Sequence, residues 1–546
     1  MHKSPFGHLS HAYDRNHFDI DRPFQSILKY HLGFVPDLSS LGKFAGRELY
    51  EIADHVDKFG RPKHVMWSID GDRVDKVWLE PSELWALEKL VRDYGINRSP
   101  YHNGDWMKHF AALYLVSDPG IGCIITVTNQ TAYAIHKYGD GEAKKFLPHL
   151  IGDKEDIMYG ATWFTEIQGG SDLGANKVKA TLSDGGWKID GDTKYFSSNA
   201  GLADVALVTA RIENGREGAK GLGLFLVPEY NVRGAKNFAV RRLKEKSGTV
   251  SVPTGEVEFS NSEAIPIGEV GEGIYYTMEN LMVSRLANSV AALGIARKAL
   301  LETYYYSKKR IAFGKHLIDH PLYARDLLDM EVYLEGAMAL GFKAVDMFQR
   351  SWKDRPPYSM DYHYARLLTH IAKNITAEMA ANVTKMAMEL HGGLGFLSDF
   401  PIERLHREAL ITPIWEGPSN IQALDMLEAI SKKKAHLKLL EDVSGMKMDI
   451  RFGMPVLETS ENRIHETLES LSGKSDAEAQ FFAKDLLNGL GHSIAVIQLI
   501  HAANRLNSER LLSVAELYSK RFVERQTYGP KAAAEARRLI RIDEGE

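Results

Sequence analysis

The 546 residues allow several separate cores at about 100–200 residues per domain and exclude a single small binding module. Hydrophobic residues at 44% and charged residues at 25% give the balance of a folded globular chain, unlike a disordered or disulfide-stapled one. With 67 basic and 72 acidic side chains, the net charge of −5 offers a polyanion no whole-molecule attraction, so any nucleic-acid reading needs a local patch. Cys123 is the single cysteine, which excludes an intrachain disulfide and a cysteine zinc cluster and suits a reducing compartment.

His2, His8, His11, His17 and His31 lie in residues 1–45 without metal-ligand spacing, so a packed N-terminal arm is expected there and no metal site. From about Arg47 to Gly152 the pattern is helical, with Leu84, Leu87, Leu90 and Val91 at three- and four-residue steps after a helix start at Pro81-Ser82. The most apolar long stretch, Ala111 to Thr128, is interrupted by Asp118-Pro119-Gly120, so no membrane span is expected. Met1 to Leu28 lacks a continuous apolar core and carries Asp14, Asp19 and Asp21, which argues against a secretory signal. The expectation is a soluble intracellular protein, in the cytoplasm or the mitochondrial matrix.

From Met158 the texture changes: Val178, Ala180 and Leu182 alternate with Lys177, Lys179 and Thr181, and at least six short strands are predicted before Pro266. After Glu272 the helical period returns, with Leu286, Val290, Leu293, Ala296 and Leu300 on one long helix and Ile371, Ile375, Met379, Val383, Met386 and Leu390 on a second. Met379, Met386 and Met388 read as core filling rather than a soft metal site. Beyond 432 a further helical block carries Phe481, Leu487, Leu490, Ile494, Ile497 and Ile500 as a predicted buried stripe. The predicted organisation is α+β multidomain: an N-terminal arm and α-helical domain (1–157), a β-barrel or sandwich domain (158–270), a four-helix bundle (271–431) and an extra C-terminal helical domain (432–546).

Three segments combine residues suited to chemistry. Thr162-Trp163-Phe164-Thr165-Glu166-Ile167-Gln168-Gly169-Gly170-Ser171-Asp172 joins paired glycines to neutral hydroxyl donors, so backbone N–H groups can approach an anionic group closely; a polar turn is the alternative reading. His391-Gly392-Gly393-Leu394-Gly395-Phe396 follows a helix and has more glycine than a C-cap needs, with His391 read as packed. In Ile414-Trp415-Glu416-Gly417-Pro418-Ser419-Asn420-Ile421-Gln422 a carboxylate stands between an indole and a Gly-Pro turn, where desolvation would raise its pKa toward that of a base for a carbon acid; the alternative is a helix-capping turn.

Taken together, these segments resemble the signatures of the acyl-CoA dehydrogenase superfamily over residues from about 80 to 430. Arg310-Ile311-Ala312-Phe313-Gly314-Lys315 between them resembles the family's Arg-x-x-Phe-Gly element. Gln168 to Asp172, Leu243-Lys244-Glu245-Lys246, Gly271-Glu272-Gly273-Ile274 and Ile414 to Gly417 are most similar to the AidB branch, the alkylation-response flavoproteins, and about 115 residues after the base motif agree with that branch. The resemblance implies FAD. Thr162, Trp163 (through its backbone), Thr165, Gly170, Ser171, Phe196, Ser197 and Ser198 would meet the flavin, and Arg310 and Phe313 would reach it across a subunit interface. Glu389, Gly392 and Gly393 would lie near the adenosine end, with Ser419 and Asn420 also on the cofactor. The substrate would be an acyl-CoA thioester touching Ser171, Arg285, Trp415 and Glu416, with Glu416 as the catalytic base and its own N–H polarising the thioester carbonyl. A homotetramer built as a dimer of dimers is implied, with an electron-accepting flavoprotein as a further partner. Three positions depart from the family pattern: Pro418, Pro321 and Met282 replace a hydroxyl residue, a glutamine and an acidic residue.

Two other functions compete with dehydrogenation: a flavoprotein acting by binding DNA, and an acyl-CoA sensor with little turnover. AidB-type DNA association is attributed to a basic C-terminal region, yet residues 441–546 hold 14 basic and 17 acidic side chains. The stretch 505–541 is locally positive, 9 against 4, and includes Arg505, Lys520, Arg521, Arg525, Arg537 and Arg538. Nucleic acid therefore ranks second to acyl-CoA as a partner.

Overall fold

A computed structural model describes residues 4–183, 185–525, 535 and 538–540. The first long element, α1 (Arg22–Leu32), starts at Asp21, whose carboxylate accepts from the Phe24 N–H at 3.1 Å, and stops at left-handed Gly33. Residues 63–78, expected to be helical, form a hairpin of β1 (Lys63–Trp67) and β2 (Arg73–Trp78). Its anchor is Asp75, fully buried at positive φ, which gathers His64 at 3.0 Å, Arg73 at 2.8 Å and the Val240 N–H at 3.1 Å. Helix α2 (Pro81–Glu88) begins at the expected Pro81, with the Glu80 carboxylate accepting from the Ser82 and Glu83 N–H groups. Leu87, Leu90 and Val91 are buried as expected, whereas Leu84 is exposed.

The chain continues through α3 (Trp106–Val116) and α4 (Pro119–Tyr138) into strands β3 (Gly160–Trp163), β4 (Lys179–Ser183), β5 (Gly186–Ser198), β6 (Val205–Ile212), β7 (Leu222–Pro228), β8 (Ala239–Leu243) and β9 (Thr254–Pro266). Helix α5 (Gly273–Lys309) follows, then the short hairpin β10 (Ile311–Ala312) and β11 (Lys315–His316). The helices after it are α6 (Pro321–Ser351), α7 (Met360–Leu390), α8 (Pro401–Ala409), α9 (Ser419–Ser431), α10 (Ala435–Lys447), α11 (Met454–Glu469), α12 (Ala483–Leu506) and α13 (Glu509–Tyr518). Two compact units divide the chain: a helical unit of Met1–Glu51, Trp106–Pro119 and Asn288–Glu546, and a barrel unit of Ile52–Asp105 and Gly120–Ala287.

In the barrel unit the strand pairings close a ring, β6-β4-β5-β9-β7 and back to β6, with β3 added beside β6 and β8 beside β9. Strand β6 lies in parallel with β3 and β4 and antiparallel to β7. Its run Val205 to Ala210 is buried on both faces, which explains why it reads as continuously apolar rather than alternating. Trp163, Val208, Phe225, Phe238, Val257 and Phe259 form the barrel core.

The helical unit has α6 as a third long helix beside the two expected from periodicity. Met379 is fully buried, while Met386 and Met388 are half-buried. On α12 the predicted stripe holds from Leu487 to Ile500, but Phe481 is 82% exposed. A helix break explains the difference: Asp476–Phe481 is a separate short helix, and Phe482 at its end has φ −94 and ψ 1, so the 3.6-residue phase does not carry across. Among the described residues α12 is the one helix long and apolar enough to cross a membrane, and 78% of its apolar window is buried within the protein.

A buried ion network joins distant parts of this unit. Arg297 on α5 donates to Glu331 on α6 at 2.6 and 2.9 Å and lies 3.2 Å from Asp21. Arg510 on α13 donates to Glu335 at 2.5 and 3.0 Å and to the Leu539 carbonyl at 2.8 Å, and its guanidinium is 3.9 Å from Glu331. Burial raises the Glu335 carboxyl to about 7 although Arg510 opposes it; burial also acts on Glu331, where Arg297 overcomes it and lowers the carboxyl.

Candidate functional site

In the barrel unit, β3 delivers the loop 165–172 to the end of β5. The Tyr195 N–H donates to the Thr165 carbonyl at 3.1 Å and the Ile167 N–H to the Thr193 carbonyl at 2.9 Å, so the loop continues the sheet beside Phe196 and Ser198. Glu166 anchors it from below: fully enclosed, it stands 3.2 Å from the buried Lys194 ammonium and accepts from the Lys177 N–H at 2.6 Å and the Thr193 hydroxyl at 2.8 Å. Burial pushes the Lys194 amine down to about 8, and it also opposes Glu166 ionisation, but Lys194 and the hydrogen bonds hold that carboxyl below its usual range.

On this anchor lie the predicted cofactor residues of the barrel unit. The Thr165 hydroxyl fills the space where residue 170 would carry a side chain: a Cβ on Gly170 would stand 2.4 Å from Thr165 Oγ1. Ser171 and Phe196 are exposed, Thr165 and Ser198 are half-buried, and the buried Ser197 hydroxyl has no hydrogen-bond partner among the described residues. Trp163 is buried, its indole N–H donating to the Ser198 carbonyl at 2.9 Å and its ring packed edge-on against Phe238, which leaves only its backbone for a ligand. Thr162 donates to Gln130 at 3.3 Å, and Arg285, of the same unit, is buried. Neutral hydroxyls, a bare glycine backbone, an unsatisfied serine and an exposed ring suit the edge of a flavin, a flat heteroaromatic group with several acceptors.

In the helical unit, Trp415-Glu416-Gly417 makes the reversal that precedes α9. Glu416 is half-buried with φ +58, followed by Gly417 at φ +90. A left-handed glutamate costs about 1–3 kcal/mol and persists only where its surroundings determine it. Those surroundings are specific. The Trp415 indole N–H donates to Asn288 on α5, whose amide donates to the Thr412 carbonyl at 3.2 Å. Gln422 on α9 donates to the carbonyls of Glu416 at 2.9 Å and Gly417 at 2.8 Å, and Lys373 on α7 donates to Gly417 at 2.8 Å. Asn420 is exposed, and the Ser419 hydroxyl donates to Glu378 at 3.4 Å rather than capping the helix. Asn288, His370 and Lys373 escaped the sequence reading, and Gln422 carried no role in it; Gln422 lies inside the quoted motif, which was its one visible signal.

The remaining predicted residues of this unit gather where α5 and α7 end. His391 stacks on Tyr306 at 4.5 Å and burial lowers its pKa, as befits a packed ring, while Tyr323 donates to the Leu390 carbonyl at 3.0 Å. Gly392 caps α7 at φ +61, Gly393 has open space around it, and exposed Glu389 pairs with Lys385. Arg310 is exposed, and Phe313 is 97% exposed at the tip of the β10–β11 hairpin, where Phe313 and Gly314 both take positive φ as in a type I′ turn. The departures have local reasons: Pro321 occupies the first turn of α6, Pro418 precedes α9, and Met282 is buried. In the basic stretch, Arg505 lies over the Tyr30 ring, Arg521 is 4.0 Å from Asp329 and Arg538 is 3.6 Å from Glu535; Arg537 falls outside the described residues.

Three family models match in order: the adaptive response protein AidB N-terminal domain over residues 9–156, the acyl-CoA dehydrogenase middle domain over 161–262 and its C-terminal domain over 271–431. The chain is 32% identical to acyl-CoA dehydrogenase family member 11 of Caenorhabditis elegans, across 76% of this chain and 70% of that one. It is 33% identical to the putative acyl-CoA dehydrogenase AidB of Escherichia coli K12, across 74% and 76%. A crystal structure of C. elegans ACDH-11 in complex with C11-CoA superposes with a TM-score of 0.84 at 25% identity, covering 95% of this chain and 93% of that one. The chain belongs to the acyl-CoA dehydrogenase family of FAD-dependent oxidoreductases.

Proposed function

We propose that this protein dehydrogenates a fatty acyl-CoA at its α,β-bond, with Glu416 as the base. The observation that carries the reading is the left-handed glutamate itself, a backbone strain held by a dedicated set of donors at the position where the family's base motif falls. The acyl-CoA bound to ACDH-11 supports the substrate class. FAD, when bound, supplies the acceptor for the β-hydride. On the barrel unit, Thr165, the Gly170 backbone, Ser171, Phe196, Ser197 and Ser198 would hold its ring; on the helical unit, Gly392, Gly393, Ser419 and Asn420 stand at positions where the family meets the nucleotide portion of an FAD. The Glu416 carboxylate takes the α-proton, and its own backbone N–H donates to the thioester oxygen, where negative charge grows as that proton leaves. An exposed phenyl on a strained hairpin tip is costly in isolation, and it supports contact through Arg310 and Phe313 with a second subunit in a dimer-of-dimers tetramer.

The test is anaerobic mixing of the purified yellow protein with acyl-CoAs of increasing chain length. Flavin bleaching with a chain-length optimum is expected, and Glu416→Gln should keep the bound flavin yet lose the bleaching. Binding without bleaching for every chain length would leave a sensor, and wild-type bleaching by Glu416→Gln would remove Glu416 from the base role.

A further inference from the structure

The donors behind the Glu416 reversal form a connected set. Gln422 and His370 are fully buried, and Lys373, one helical turn beyond His370 on α7, is buried too. Because the Gln422 Nε2 hydrogens are committed to the carbonyls of Glu416 and Gly417, its Oε1 is left as an acceptor. His370 Nδ1 stands 2.9 Å from that oxygen and therefore carries the proton, which leaves Nε2 turned toward Asp425 at 3.7 Å. Lys373 Nζ supplies another donor to the Gly417 carbonyl. The clamp also accounts for the glycine: a Cβ on residue 417 would come within 2.9 Å of Gln422 Nε2 and force the amide away. No other side chain of this size offers two N–H donors and one acceptor together. Glutamate has no donor when ionised, and methionine has neither group.

We propose that Gln422, oriented by His370 and assisted by Lys373, is a positioning residue for proton abstraction, fixing the two carbonyls of the reversal and with them the place of the Glu416 carboxylate. This rests on the reading of Glu416 as base. The amide acts on the geometry of the loop and not on affinity for the thioester. Its removal therefore appears in the rate at saturating substrate and not in the substrate concentration needed to half-saturate.

The test uses the flavin-loaded full chain in wild-type, Gln422→Met, Gln422→Glu and Glu416→Gln forms. Bleaching is followed at saturating acyl-CoA, and backbone amide exchange is followed by mass spectrometry in the peptide covering residues 414–418 without substrate. For Gln422→Met the saturated rate should fall by about 10- to 100-fold with half-saturation within about threefold of wild type, since a misplacement near 1 Å costs about that much. Exchange in that peptide should quicken by about tenfold or more while flavin content and exchange elsewhere stay unchanged. In Gln422→Glu the carboxyl keeps one donor while protonated and none once ionised, so its saturated rate should fall as pH rises, along a limb the wild type lacks. If Gln422→Met does not fold, that limb decides. Saturated bleaching by Gln422→Met within twofold of wild type, unchanged loop exchange, or no added pH limb would overturn the proposal. Glu416→Gln separates the two readings: its activity tests the base alone, whereas loop exchange in the Gln422 variants reports the clamp whatever the base is.

Discussion

Replacing Arg510 by methionine keeps the length of the side chain and withdraws the counter-charge that α13 supplies to α6. Glu335 then loses its two guanidinium hydrogen bonds, and Glu331 loses a positive charge 3.9 Å away, while both carboxyls stay buried. Breaking one side of a buried ion pair costs about 3–5 kcal/mol, because the partner remains desolvated. Unfolding entropy of about 2.1 cal/mol/K per residue, over the roughly 320 residues of the helical unit, gives ~0.7 kcal/mol/K, so its melting midpoint should drop by about 4–7 °C. The sign of the pH dependence follows from Glu335, whose folded value near 7 lies above its usual 4.5. A carboxyl raised on folding contributes stability that is full below the unfolded value and is lost as pH climbs through the folded one. Without Arg510 the folded value moves higher still. The gap between variant and wild type should therefore be small near pH 5.5 and widest above pH 7.5. Calorimetry of the flavin-loaded protein at the two pH values measures both effects, and adding Glu335→Leu should restore most of the loss. A midpoint within about 1 °C of wild type at both pH values would refute the network as a source of stability.

Three further outcomes follow from the sites. Gly170→Ala drives a methyl against Thr165 Oγ1, so flavin retained through gel filtration should fall by about tenfold or more while the circular dichroism spectrum is unchanged. Phe313→Ser should shift sedimentation toward smaller species and release flavin on dilution; an unaltered oligomer would separate the hairpin tip from any subunit interface. Lys194→Met leaves the buried Glu166 without its ammonium and should cost the barrel unit about 3–5 kcal/mol, read by tryptophan fluorescence in urea.

How much of this was legible depended on whether the cause was local. The reversal at Trp415-Glu416-Gly417 could be read directly, because a reversal selects residue types within a few positions, whereas what excludes a side chain at Gly170 is the Thr165 hydroxyl of its own loop. The left-handed state of Glu416 could not, since it is imposed by Gln422 from the next helix and by Lys373 from another, and on α7 the apolar stripe Ile371, Ile375 and Met379 masks the buried polar residues beside it. The hairpin at 63–78 was hidden for a similar reason: the buried Asp75 that anchors it depends on Val240, far along the chain. Phe481 failed in the opposite direction, since a real stripe on α12 was extended backward through a break that Phe482 makes.

The placement of Arg510 has a consequence for how the chain is made. Its partner Glu335 precedes it by 175 residues, and at about 5–20 residues per second a ribosome needs roughly 9–35 s to cover that interval. During that time Asp21, Arg297, Glu331 and Glu335 are already synthesised with one arginine for three carboxyls. Proton uptake at Glu335, or an open bundle still wetted by water, are the two ways to tolerate the excess. Until α13 arrives, a closed helical unit is one that has taken up a proton at Glu335, and the arrival of Arg510 is what lets the same bundle stay closed with that carboxyl ionised.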